Sequence, residues 1–173
     1  MPCVFSIRPQ SPEDALAVDA LHEAAFGPGR FARTAYRIRE AATRPPLIAL
    51  TARHEDRVIG AIQFAAITIG GRRGAMLLGP LAIAPEHKNQ GCGLQLMNHG
   101  LAEASRLGFR LVVLIGDLPY YSRAGFAVIP RGQIHLPGPA DPARFLAKAL
   151  QPGALAEYSG LVAADNEPPP RMD

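Results

Sequence analysis

Lys88, Asn89, Gln90, Gly91, Cys92 and Gly93 follow one another between a strand-like apolar run and an amphipathic pattern. This is the stretch of the chain best fitted to hold an anion. Two glycines flanking one residue leave backbone N–H groups unobstructed at a helix start, where unsatisfied donors and the helix dipole favour negative charge. Phosphate is the expected ligand chemistry. A triphosphatase loop would need Gly-Lys followed by Ser or Thr to grip magnesium, but here Gly93 is followed by Leu94 and Gln95. A dinucleotide fingerprint would put its third small residue at Leu96, after a loop too long and polar for that tight turn.

Other reactive side chains are weaker candidates. Cys92 sits at a helix N-terminus, where a thiol pKa can fall, but no histidine and carboxylate pair is evident to activate it. Cys3 and Cys92 are far apart, and neither a disulfide nor a metal site is expected from their spacing. His87 and His99 are expected to be solvated, on the loop and on the polar side of the helix that follows it. Arg30, Arg33 and Arg37 share one helical face, either as a solvated stripe or as an attraction for an acidic small molecule or a nucleic-acid backbone. With 18 basic against 15 acidic residues, the formal charge of +3 falls short of a dedicated nucleic-acid binder.

The elements that must position the loop follow from periodicity. "VFSIRP" alternates as a strand, and Ser11 caps a helix carrying Leu16, Leu21 and Phe26 on its apolar side. A second helix is expected where Phe31, Ala35, Ile38 and Ala42 recur. "LIALTAR", "RVIGAIQFAAITI" and "AMLLGPLAIA" read as an antiparallel meander, interrupted near Pro80, which cannot donate a ladder hydrogen bond. Leu94, Met97, Leu101 and Ala104 mark a helix ended by Gly108, and "RLVVLIG" is a buried strand parallel to the one at Leu81. "DLPYYSRAG" is a short helix capped by Asp117 and ended by Gly125, before the strand "FAVIP"; "RFLAKAL" is a strand or a helix turn.

The chain of 173 residues suits one domain, expected over 1–165, with 166–173 a disordered proline-rich tail. No apolar run approaches the roughly 20 residues of a bilayer span, and the N-terminus lacks a signal-peptide layout, so a cytoplasmic protein is expected.

The order of these pieces resembles the GCN5-related N-acetyltransferase (GNAT) superfamily. Its acyl-CoA pyrophosphate loop reads Gln or Arg, two residues, Gly, one residue, then Gly or Ala. "KNQGCG" matches it except that Lys88 stands at the first position, still offering positive charge. The resemblance covers roughly residues 5 to 130, and "GPLAIAPEHKNQGCG" with "GDLPYYSRAGF" is most similar to a bacterial branch of predicted N-acetyltransferases.

What the resemblance implies is a mixed α/β fold, a mostly antiparallel sheet whose central parallel strands splay apart, flanked by helices. Acetyl-CoA is the implied co-substrate, without a metal. Its pyrophosphate would rest on Lys88 to Leu94, and its pantetheine arm would pair with the backbone of Leu81, Ala82 and Ile83. Tyr121, four residues before Gly125-Phe126, would hydrogen-bond or protonate the departing thiolate. Tyr120, about 100° away on the helix, would pack instead. The acceptor is an amine on a small molecule or peptide. No general base stands out, which leaves ordered water, Glu23 or Glu40. A longer acyl donor, a hydroxyl acceptor, or a silent acyl-CoA sensor are the alternatives, and the oligomeric state is open, a homodimer being one possibility.

Overall fold

In a computed structural model, residues 4–169 are described; Cys3, residues 170–173 of the expected tail, and the side chains of Phe31 and Ala32 lie outside the described residues. The chain builds one sheet through β1 (Ser6–Pro9), β2 (Ile48–His54), β3 (Arg57–Ile69), β4 (Arg72–Ile83), β5 (Leu111–Ile115), β6 (Ala127–Val128), β7 (Ile134–His135), β8 (Phe145–Ala149) and β9 (Gly160–Ala164). The strand order is β1-β2-β3-β4-β5-β8-β6, with β9 pairing β3 and β7. Four α-helices accompany it among the described residues: α1 (Ala15–Phe26), α2 (Thr34–Glu40), α3 (Cys92–Arg106) and α4 (Leu118–Tyr121). The expected fold class is the observed one: β1 to β4 are an antiparallel meander, and β5 lies parallel to β4.

Strand alternation divides the core into two layers. Met76 and Leu78 of β4, with Val112 and Leu114 of β5, meet Val18 and Leu21 of α1 and Leu96, Met97 and Leu101 of α3. The intervening residues Ala75, Leu77, Leu111 and Val113 face the other way, onto Ile38 of α2 and onto Tyr158 and Val162 near the C-terminus. The sheet is thus covered on both faces. The helix α3 approaches especially closely, because a Cβ at Gly100 would lie 2.1 Å from Cε2 of the fully buried Phe64.

Two local expectations are corrected. Leu16 is 85% exposed, and α1 instead buries Val18, Leu21 and His22. At about 100° per residue, Leu16 and Leu21 stand some 140° apart, so one stripe cannot hold both. The second helix begins at Thr34, after a 3-10 turn over Pro28–Ala32. The alternatives left open for "RFLAKAL" resolve as β8, paired with β5 from Leu111↔Ala149 to Ile115↔Phe145.

A buried ion pair anchors the start of α1. The Arg53 guanidinium on β2 meets the Asp14 carboxylate, which also accepts the Ser11 N–H at 2.9 Å. That backbone hydrogen bond, opposed by burial and helped by Arg53, holds the Asp14 carboxyl below the usual carboxylate range. The C-terminal strand is pinned as well: Tyr158 donates to the Arg73 carbonyl at 2.8 Å, and Arg73 pairs with Asp165 at 2.7 Å. Beyond it, Asn166 accepts from the Thr43 N–H at 2.8 Å and donates to the Ala41 carbonyl at 3.1 Å. No helix among the described residues is long and apolar enough to cross a membrane.

Candidate active site

The central opening arises where β4 loses its second partner. β4 and β5 pair from Ala75↔Leu111 to Leu77↔Val113 and no further. Beyond that point β4 stays with β3, through Leu81↔Ile62 and Ile83↔Gly60, whereas β5 continues with β8. The register of β3 against β4 jumps from Phe64↔Leu78 to Ile62↔Leu81, so Gly79 and Pro80 together oppose Gln63. This is a bulge, at the position where proline removes a donor. A cleft of about 840 Å³ opens along the freed edge.

The glycine loop forms one end of this cleft. Gly91 adopts φ +84°, a left-handed conformation that places it as the N-cap of α3, and its carbonyl accepts the Gln95 N–H at 3.1 Å. The first N–H groups of a helix have no intrahelical acceptor, and here they open beside Lys88 and Asn89. Lys88, Asn89, Gly91, Cys92, Gly93 and Leu94 all border the cleft, as do Leu81, Ala82 and Ile83 of β4. Gln90 does not; it is exposed, with its amide 3.4 Å from the Glu86 carbonyl. The Cys92 side chain is 2% exposed and packs in the core under α3, so its thiol is not presented as a nucleophile.

Two tyrosines of α4 also border the cleft. Asp117 stands at the N-cap of α4, where its backbone carbonyl accepts the N–H groups of Tyr120 and Tyr121, both at 3.1 Å. The expected side-chain cap is absent, because the Asp117 carboxylate instead accepts from Arg144 Nε at 3.2 Å. The Tyr121 ring lies edge-on to Tyr120 and Phe126, and against Gly116, where a Cβ would be 2.3 Å from its Cε2. Burial, with smaller contributions from Tyr120 and Asp117, pushes the Tyr121 phenol up to about 12. It therefore keeps its proton throughout the neutral range.

The expectation that Tyr120 merely packs is corrected: both tyrosines border the cleft. The Tyr120 hydroxyl sits over the first turn of α3, so close that a Cβ at Gly93 would be 2.0 Å from it. Glycine at 93 therefore makes room for a phenol. Helical spacing alone could not show this, since α4 has a single turn and its approach to α3 is a tertiary contact.

Of the expected histidines, His99 is exposed, with Nδ1 3.0 Å from the Gln95 carbonyl. His87 is half-buried, borders the cleft, and has its ring centroid 5.5 Å from that of His54. The base candidates Glu23 and Glu40 do not line the cleft, and Glu23 pairs with Arg30. Its lining carboxylates are Asp117 and Asp141, both missed from sequence as cleft residues; Asp141 accepts the Ala143 N–H at 2.9 Å. Arg30 and Arg37 do not border the cleft, but Arg33 and Arg39 do. Among the described residues there is no cluster of three or more potential metal ligands.

The sheet parts beside a glycine-capped helix start, and the family comparison points the same way. Residues 15–126 match the Acetyltransferase (GNAT) family, and the chain belongs to that family. It is similar to the uncharacterized N-acetyltransferase YhbS of Escherichia coli K12, 29% identical over 157 residues, which are 90% of this chain and 93% of YhbS. A crystal structure of E. coli YhbS in complex with CoA superposes with a TM-score of 0.81 at 28% identity, covering 93% of this chain and 89% of that one. A GNAT acetyltransferase from Brucella melitensis in complex with acetyl-CoA gives 0.63 at 31% identity, over 84% of this chain and 96% of its own.

Proposed function

We propose that the protein transfers the acetyl group of acetyl-CoA to the amine of an acceptor by direct attack, through a tetrahedral intermediate. The observation that carries this reading is the parting of β4 from β5 after Leu77, which leaves a free strand edge between the glycine-capped start of α3 and a protonated tyrosine. Relatives of the same family bind CoA and acetyl-CoA. In this assignment Lys88 and the N–H groups of Gly91 to Leu94 take the pyrophosphate, joined by the Tyr120 hydroxyl over Gly93. Leu81, Ala82 and Ile83 offer main-chain groups to the pantetheine arm, and an amide near Leu81 meets the oxyanion. Tyr121 donates to the thiolate as it leaves. The acceptor amine enters from the α2 side, where Arg33, Thr34 and Tyr36 border the same cleft.

The first test is ligand-linked stability. CoA or acetyl-CoA at 100 times its Kd is expected to add about 2.7 kcal/mol to unfolding, and Lys88→Ala to diminish the accompanying rise in Tm. ATP and NAD at equal concentration should do markedly less; either one outperforming CoA means that the loop holds a different nucleotide. Thiol release from acetyl-CoA across an amine panel then separates an enzyme from a binding module.

A second expectation concerns the glycines. Valine at Gly91 meets the left-handed backbone, which costs about 1–2 kcal/mol, while valine at Gly93 displaces the Tyr120 hydroxyl and covers the N–H groups. Calorimetric titration with CoA should show affinity falling at both positions. A folded Gly93→Val protein with parental affinity would remove the loop from the cofactor site. Tyr120→Phe, in contrast, is expected to weaken CoA binding only about 2- to 10-fold, the worth of one hydrogen bond.

A further inference from the structure

Arg39 is the one largely buried arginine among the described residues that has no carboxylate within ion-pair distance. Arg53, Arg73 and Arg110 each meet an aspartate or glutamate, and the arginines without such a partner elsewhere are exposed. Arg39 projects from α2 into the cleft, its guanidinium carbon 4.6 Å from the centre of the Tyr36 ring. Its Nε is buried without a hydrogen-bond partner. Its Nη1 lies 3.1 Å from where a Cβ would stand on Gly79, beside the bulge at which β4 leaves β5. The cleft carboxylates are committed to other groups: Asp117 to Arg144, and Asp141 to the Ala143 N–H. The Tyr36 ring beneath the guanidinium carbon offers a cation–π contact, which does not neutralise the charge.

A cation taken out of water and left unpaired is costly, and the cost is recovered when a ligand brings the counter-charge. Burial pulls the Arg39 guanidinium down to about 10, which still leaves it charged at neutral pH. Its planar fork matches a carboxylate in a bidentate pair, which a point charge cannot reproduce. The fork stands beside the bulge, next to the stretch of β4 assigned above to the pantetheine arm, so an anion joined by a few bonds to an amine would bring that amine to the assigned thioester.

We infer that Arg39 binds the carboxylate of a small amino-acid-type acceptor, whose own amine is the group acetylated. This rests on the acetyltransferase reading above and specifies its acceptor. Arg39 is then a specificity-determining residue, and Arg33, exposed at the cleft's edge with its guanidinium 5.4 Å from the Phe26 ring centre, draws the same anion inward.

The test uses the full chain, acetyl-CoA, and matched amines: α-amino acids, β-alanine and γ-aminobutyrate, each beside its carboxamide, with phosphoethanolamine as a phosphate-bearing control. Thiol release is measured, together with the rise in Tm that each amine adds in the presence of CoA. At least one carboxylate should exceed its carboxamide by about 10²-fold in kcat/KM. Arg39→Met should erase that difference, and Arg39→Lys should restore only part of it, while the Tm response of both variants to CoA alone stays as in the parent. The proposal is overturned if carboxylate and carboxamide react alike, if Arg39→Met slows both equally, or if phosphoethanolamine is preferred. It is overturned too if CoA raises Tm but no carboxylate either reacts or adds an Arg39-dependent rise. Failure of CoA itself to stabilise the protein would instead bring down the acetyltransferase reading, and this inference with it.

Discussion

A Tyr121→Phe protein is expected to release thiol from acetyl-CoA about 10² to 10³ times more slowly than the parent, with little change in KM for acetyl-CoA. The substitution keeps the ring, and with it the contacts to Gly116, Tyr120 and Phe126; only the hydroxyl is lost. Its size follows from relative acidity. The Tyr121 phenol stands at about 12, whereas an ordinary thiol ionises at about 8.5, so complete proton transfer to the thiolate is uphill. The hydroxyl therefore works as a fixed hydrogen-bond donor to developing charge, and removing one such donor typically costs that range. A pH profile supplies a second reading: Tyr121 contributes no falling limb below about pH 10. The same shift makes folding stability decline as pH rises from about 10 toward 12, because the unfolded chain surrenders the proton first. Parental turnover in Tyr121→Phe, on an acceptor that reacts, would take the thiolate role away from this residue.

Gly100→Ala is expected to destabilise the fold by about 1–3 kcal/mol, against a helix propensity that favours alanine by about 1 kcal/mol. The added methyl would stand 2.1 Å from Cε2 and 2.5 Å from Cζ of Phe64, a ring with no exposure and no room to withdraw. Relief should come from the other side of the contact. In a double-mutant cycle with Phe64→Leu, the two changes should couple by about 0.5–3 kcal/mol, since the smaller side chain vacates the space the methyl needs. Urea unfolding measures all four proteins. A Gly100→Ala variant more stable than the parent would mean that α3 does not sit so close to β3.

The meander, α3 and β5 were legible because each carries enough apolar residues for its period to show, and because Pro80, Gly91 and Gly108 punctuate them. The glycine loop was legible for the same reason, its backbone conformation being written in residue type. Less local features were not. β7 has two residues and β9 five, and both are held through distant partners: Ile134 by Gly160, and Ile67 by Ala164. Their identity as strands is supplied by neighbours that no sequence window contains. Arg39 escaped notice beside Arg30, Arg33 and Arg37 because composition marks a basic stripe, whereas isolation from carboxylates is a property of the folded cleft. The exposure of Leu16 could have been foreseen, since its angular position already disagreed with Leu21.

The phenol of Tyr120 and the bare backbone of Gly93 occupy what would otherwise be one volume, so two positions well apart in the chain share one steric constraint. The family's loop pattern admits alanine at the second small position. In a relative with alanine there, the site aligned with Tyr120 must carry a shorter side chain or turn its ring aside. Tyrosine at 120 and glycine at 93 should therefore be inherited as a pair, and drift at either one should be followed by drift at the other.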